Sequence, residues 1–293
     1  MSDLYDIAII GTGPGGLEAA ITAKIRNKNI LVLGSPESSL KVQKAHEIGN
    51  YLGLPAISGE QMQKTFLDHA KSMGVEITDD RAVAVYDFGD YFAIQTRDGN
   101  YNASSIILAT GVVAAKPYPG EERLLGRGVS YCATCDAPLY RDKTAIVIAS
   151  SPSEEAEADF MSEYAAKVYY IPLYKEEAHV REGIEVLRVK PVEIVGENKV
   201  EKLVTDQDEI TADGVFILRE AVAPGQLVPG LETDGPHVKV NLDMSTSLPG
   251  VFACGDIAGL PYQYIKAAGQ GNTAALSAVN YLAAKERLKN QQG

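Results

Sequence analysis

The feature that most restricts what this chain can fold into is Gly11-Thr12-Gly13-Pro14-Gly15-Gly16, set directly after an apolar run at 5–10 and before a helix-forming stretch at 17–26. A short apolar run rich in Ile reads as a parallel strand buried on both faces. The first glycine then allows a tight turn and the second lets the backbone approach a pyrophosphate. The third lets helix pack closely on strand, and the helix N-terminus offers aligned N–H groups to phosphates. Residues 29–33 form the next apolar strand, closing a βαβ unit of about 30 residues. A glycine turn alone is weak; one with this strand before it and this helix after it indicates dinucleotide binding. One departure stands out. The second strand ends Leu33-Gly34-Ser35, without the acid that commonly binds the ribose hydroxyls, so the ribose must be held another way, with Ser35 or backbone groups as the candidates.

The 293 residues, 45% of them hydrophobic, suffice for one large domain or two medium ones. With 27 basic residues against 39 acidic ones, a net charge of -12 argues against nucleic acid or an anionic membrane as the main partner. No apolar run reaches the roughly 18 residues of a membrane span. The N-terminal residues lack a basic and then apolar leader, and the expectation is a cytoplasmic protein.

Further along, 104–111 is an apolar strand ending Leu108-Ala109-Thr110-Gly111, and the Pro- and Gly-rich 112–128 reads as a domain crossover. A strand at 143–149, a helix at 153–166 and a strand at 167–171 make a second βαβ-like unit. Residues 250–256 read as strand then turn, followed by an Ala-rich helix at about 264–285. Two related α/β domains are therefore expected. Of the three cysteines, two stand as Cys132-Ala-Thr-Cys135, a spacing that suits a redox pair or half of a zinc site. His46, His69, His179 and His237 are scattered and complete no ligand set, so no metal is expected. Cys254, in an apolar strand, reads as a small core residue.

Four blocks together now resemble a known family. They are the glycine turn at 11–16, Ala109-Thr110-Gly111, Cys-Ala-Thr-Cys-Asp-Ala-Pro at 132–138, and Gly255-Asp256 running on through Gln263 to Ala-Ala-Gly-Gln-Gly at 267–271. In that order they span nearly the whole chain and are similar to the low-molecular-weight thioredoxin reductases. The resemblance implies two Rossmann-like, three-layer domains. The FAD domain is discontinuous, 1–113 and 237–293, and a central domain at 114–236 carries the cysteines. It implies one FAD per chain, with Gly11, Gly13, Pro14, Gly15 and Gly16 at its pyrophosphate and Gly34 and Ser35 toward the adenosine. Lys41 and Asn50 would line the flavin pocket, and Ala109, Thr110 and Gly111 would also contact the cofactor. Gly255 and Asp256 would meet the ribityl–phosphate region, with Gln263, Tyr264 and Ile265 near the isoalloxazine and a short C-terminal helix running away from it. It also implies that Cys135 is the flavin-side thiol, that Cys132 attacks the thioredoxin disulfide, and that Asp136 is the general acid. A homodimer is implied as well.

The central domain departs from that pattern. Where a second glycine turn should follow the strand at 144–148, the chain reads Ala149-Ser150-Ser151-Pro152-Ser153-Glu154-Glu155. No glycine permits close approach, Pro152 removes a donor, and two carboxylates would repel a pyrophosphate. The next strand leads into Pro172-Leu173-Tyr174-Lys175-Glu176-Glu177, not the basic cluster that grips a 2′-phosphate. No NADPH site is expected. This loss, with Cys-Asp-Ala-Pro-Leu-Tyr at 135–140 and Pro-Tyr-Gln-Tyr at 261–264, resembles the ferredoxin-dependent flavin thioredoxin reductases. Ferredoxin is then the implied donor, and Lys24, Arg26, Lys28, Lys41 and Lys44 are candidate docking cations or, equally, an ordinary solvated helix end. Three alternatives stay open: a diflavin disulfide oxidoreductase, a dithiol oxidase that makes peroxide, and a non-catalytic redox sensor.

Overall fold

The computed structural model describes residues 4–36, 46–112, 117–219 and 223–292. The chain divides into two compact units, residues 1–114 with 223–293, and residues 115–222. The sequence places the return to the first unit at 237, whereas the structure places it at 223. The reason is that the short helix Pro224–Leu227 already packs against the strand Ala82–Asp87 of the first unit.

The first unit is built on a parallel sheet in the order Val251–Ala253, Ile106–Leu108, Ile7–Ile10, Ile30–Leu33. Nearly every residue of these short strands is buried, as a parallel sheet covered on both faces requires. On one face Ile7, Ile9, Val32 and Ile107 pack against Leu17 and Ala20 of the helix Pro14–Ile25 and against Ala274 and Ala278 of the helix Tyr264–Gln292. Those two helices meet backbone to backbone: a Cβ on Gly271 would lie 2.1 Å from the carbonyl oxygen of Gly15. The C-terminal helix, expected over about 264–285, runs on to Gln292, 29 residues in all. The strand expected over 104–111 is confined to Ile106–Leu108, because Thr110 and Gly111 leave the ladder and Gly111 has a positive φ. A second sheet, Leu4–Tyr5, Asn100–Ala103, Phe92–Thr96 and Ala82–Asp87, is antiparallel apart from its first pair.

The second unit holds a five-stranded parallel sheet in the order Glu185–Val186, Lys167–Pro172, Thr144–Ala149, Gly214–Leu218, Val129–Ser130. A small antiparallel sheet of Pro191–Val195, Lys202–Thr205 and Glu209–Thr211 accompanies it. Alternate residues of the central strands serve opposite cores, as a period of two dictates. Ile146, Ile148, Val215 and Ile217 join Ile194 and Leu203, while Ala145, Val147, Phe216 and Leu218 join Met161 and Tyr170. The helix expected over 153–166 is shorter, a 3-10 turn at Pro152–Glu154 followed by Glu155–Met161. It stops because the chain turns back to the sheet, with the N–H groups of Ala166 and Lys167 donating to the carbonyl of Lys143. Both units thus share a Rossmann-like plan, the α/β fold class expected. Among the described residues, no helix is long and apolar enough to cross a membrane.

Candidate active site

In the first unit the glycine turn forms a cradle whose shape follows from its residue types. Gly11 has φ +116, and a Cβ there would lie 2.3 Å from the carbonyl oxygen of Ala109. At Gly16 a Cβ would lie 1.9 Å from the carbonyl oxygen of Gly11, so no larger residue fits. Gly13 is different: a Cβ there would meet nothing within 4 Å, which leaves open space at the N-cap of the helix. No side chain caps that helix, and Pro14 stands in its first turn, where its missing N–H costs nothing. The end of the second strand is tied to the cradle, since the buried Thr12 hydroxyl donates to the Ser35 carbonyl at 2.9 Å and Gly34 lies against Thr12. The sequence reading missed Thr12, which gives no signal of its own in a glycine-rich turn.

Ala109-Thr110-Gly111 follows the strand beside the cradle, with the Ala109 N–H donating to the Ile10 carbonyl. The Thr110 hydroxyl is buried and has no hydrogen-bond partner within the protein. Asn50 and Gln263, 213 residues apart, are brought together, Asn50 Nδ2 donating to Gln263 Oε1 at 2.8 Å. Tyr264 packs beside them with Ile48, Tyr51, Leu54 and Met62; burial raises its pKa, and Asp256 adds to the effect. Ile265 is half exposed. Gly255 and Asp256 open a 3-10 turn, Gly255–Ala258, in which the Gly255 N–H donates to Gln270 Oε1 at 3.0 Å. Lys266 donates to the Gly255 carbonyl at 3.2 Å and to that of Gly259, and burial lowers its pKa. Cys254 is fully buried and its thiol is pushed up to about 12 by that burial, which makes it inert. Lys41 and Lys44 lie outside the described residues. Lys24, Arg26 and Lys28 gather at the end of the first helix, with Arg26 exposed.

In the second unit Ala133–Asp136 is one helical turn, and Cys132, buried and disulfide-bonded, stands immediately before it. Ser130 braces the turn: its hydroxyl accepts from the Cys132 N–H at 3.2 Å and donates to Asp136 Oδ2 at 2.7 Å. The buried Glu157 accepts from the Thr134 N–H at 3.0 Å and from its hydroxyl at 3.2 Å. Neither Ser130 nor Glu157 carries a sequence signal, because the partners meet only through the fold.

Just before this turn, Tyr131 donates to the fully buried Glu121 at 3.0 Å, which Arg219 grips through two hydrogen bonds of 2.6 and 2.8 Å. Burial alone would raise the Glu121 pKa. The Arg219 hydrogen bonds, the Tyr118 N–H and the guanidinium charge outweigh it and hold the carboxyl below its ordinary value.

The family model of the pyridine nucleotide-disulphide oxidoreductases matches residues 5–271. The chain belongs to that family. A thioredoxin reductase of Aquifex aeolicus is 33% identical over 98% of this chain and 96% of its own. Two structures of ferredoxin-flavin thioredoxin reductases from Clostridium acetobutylicum match with TM-scores of 0.86. One is 51% identical over 97% of this chain and 99% of its own, the other 47% identical over 96% and 98%. This oxidoreductase is therefore a flavin disulfide reductase of the thioredoxin reductase type, and FAD is its cofactor. The cradle fits that group: open space at Gly13, an uncapped helix N-terminus and the partnerless Thr110 hydroxyl are what a pyrophosphate-bearing dinucleotide would use.

Proposed function

We propose that this protein reduces the disulfide of thioredoxin with electrons from reduced ferredoxin, using one FAD and the pair Cys132 and Cys135, and that its second unit binds no NADPH. The observation that carries this reading is the turn after the strand Thr144–Ala149. In open α/β sheets a dinucleotide lies outside the carboxyl ends of the strands. There, Ser151 caps its own turn by accepting from the Ser153 N–H at 3.2 Å, and Glu154 is buried. Glu155 accepts from Tyr174 at 2.5 Å, and Tyr174 meets Tyr170 at 2.9 Å. The turn carries carboxylates and no glycine where a pyrophosphate would need close backbone donors. The likeness to ferredoxin-flavin thioredoxin reductases of Clostridium supports ferredoxin as donor.

FAD, when bound, supplies the ability to take electrons singly and deliver two. The chain's own groups do the rest. In the dithiol state Cys132 attacks the thioredoxin disulfide as thiolate. The S–S bond of thioredoxin breaks, a mixed disulfide forms, and one thioredoxin sulfur leaves as thiol after taking a proton. Cys135 then displaces the second sulfur, which restores the Cys132–Cys135 disulfide and releases dithiol thioredoxin. In this reading Asp136, next in sequence to Cys135 and accepting from the Ser130 hydroxyl, gives and takes the protons. The energetics run downhill. From about -400 mV for plant-type ferredoxins to about -270 mV for thioredoxin is about 6 kcal/mol for two electrons. Lys24, Arg26 and Lys28 offer cations for docking an acidic ferredoxin. The enzyme functions as a homodimer in this reading.

Steady-state reduction of thioredoxin tests it. Reduced ferredoxin should support turnover and NADPH should not, with one FAD per chain. Cys132→Ser should retain its flavin and lose at least about 10³-fold in turnover. Two flavins per chain would favour a diflavin oxidoreductase, and peroxide made from small dithiols would favour an oxidase.

A further inference from the structure

We infer that Glu157 is a positioning residue for the redox pair: its carboxylate, seated on the N–H of Thr134 between the cysteines, keeps the Cys132–Cys135 couple strongly reducing. This rests on the disulfide-reductase reading above. In a Cys-x-x-Cys sequence that opens a helical turn, the first N–H groups of the turn favour the thiolate of the leading cysteine. Here one of those donors is engaged, because the Thr134 N–H donates to Glu157 Oε2 at 3.0 Å. The Thr134 hydroxyl holds the other oxygen at 3.2 Å, so the carboxylate cannot swing away. Glu157 comes from the helix Glu155–Met161, 23 residues on, and is 6% exposed, which leaves little water to screen its charge. Asp136 supplies a second carboxylate at the far end of the same turn.

Reduction of the pair adds two electrons and two protons to the disulfide and yields two thiols. A couple becomes oxidising when its thiolate is stabilised, since that favours the reduced form. A fixed negative charge does the opposite: it disfavours the neighbouring thiolate and draws the couple toward the reducing end. A protein that must reduce thioredoxin, near about -270 mV, needs that bias.

The test uses the FAD-loaded protein equilibrated at pH 7 with mixtures of reduced and oxidised dithiothreitol, the thiols counted by the mass added on alkylation. Glu157→Gln keeps an acceptor for the Thr134 N–H and removes the charge. Glu157→Ser removes the charge with a smaller side chain, in case the first variant folds poorly. Both should shift the reduction equilibrium about tenfold toward the dithiol, a rise of about 30 mV. Glu157→Gln should keep the wild-type Tm and flavin content. A shift under threefold in the folded variants would overturn the inference and leave Glu157 a structural cap. Neither ferredoxin nor thioredoxin enters this measurement, so its failure is separable from that of the functional reading. A wild-type enzyme unable to reduce thioredoxin would sink the latter alone.

Discussion

The two units share a parallel sheet and a strand–turn–helix at its heart, yet their turns are opposites. In the first, Gly11, Gly13, Gly15 and Gly16 strip the backbone bare, and the space at Gly13 is open. In the second, no glycine stands at 149–155, Ser151 caps its own turn and Glu155 accepts from Tyr174. One fold serves as a cofactor cradle in one place and as a platform for two cysteines in the other. The scaffold sets where a ligand could lie; a handful of side chains at one turn sets whether it can.

The largest effect expected in breaking this contrast comes from the cradle. Gly16→Ala drives a Cβ against the Gly11 carbonyl oxygen and should cost about 3–5 kcal/mol, or prevent folding, as read by thermal unfolding. Gly13→Leu sharpens the point. Its Cβ meets no protein atom, so the fold should survive while the purified protein loses its yellow colour.

Next in size is the second unit's own brace, which relies on no ligand. Arg219→Ala removes the guanidinium that grips the buried Glu121 and should cost about 3–5 kcal/mol. The linked pH dependence has a definite sign. The folded pKa of Glu121 lies below its ordinary value of 4.5, so its stabilisation is fully present above that pH and is lost as pH falls through the depressed value. Acid unfolding of Glu121→Gln should show a correspondingly shallower loss over that window, measured by denaturant melts at pH 7 and pH 4.

The smallest effect belongs to the second unit's turn. Tyr174→Phe removes one hydroxyl from the Tyr170–Tyr174–Glu155 chain and should cost about 0.5–1.5 kcal/mol without creating any affinity for NADPH. Tyr174, whose hydroxyl is pushed up to about 12 by burial and then by Glu155, stays neutral across the working range.

What the sequence disclosed and what it hid divide along physical lines. The cradle was legible because backbone approach and positive φ select glycine, so Gly11 and Gly16 announce themselves in one line of text. The departure in the second unit was legible for the same reason, as an absence of glycine at 149–155. The side-chain contacts were not. Thr134 with Glu157, Ser130 with Asp136, and Asn50 with Gln263 depend on where the fold returns the chain, and a polar residue's type says nothing of its partner. Glu157 stands in an acidic stretch of a surface helix and is nonetheless buried. The helix at 153–166 was read too long, since propensity could not show the chain bending back to the Lys143 carbonyl.

The most direct measurement is an anaerobic absorbance titration of the flavin in the purified enzyme, with NADPH first and reduced ferredoxin second, thioredoxin present throughout. The expected result is that NADPH leaves the flavin spectrum unchanged, while reduced ferredoxin bleaches it and thiols appear on thioredoxin. Rapid bleaching by NADPH with turnover would contradict it, and would mean that the acidic, glycine-free turn after Ala149 still admits a dinucleotide.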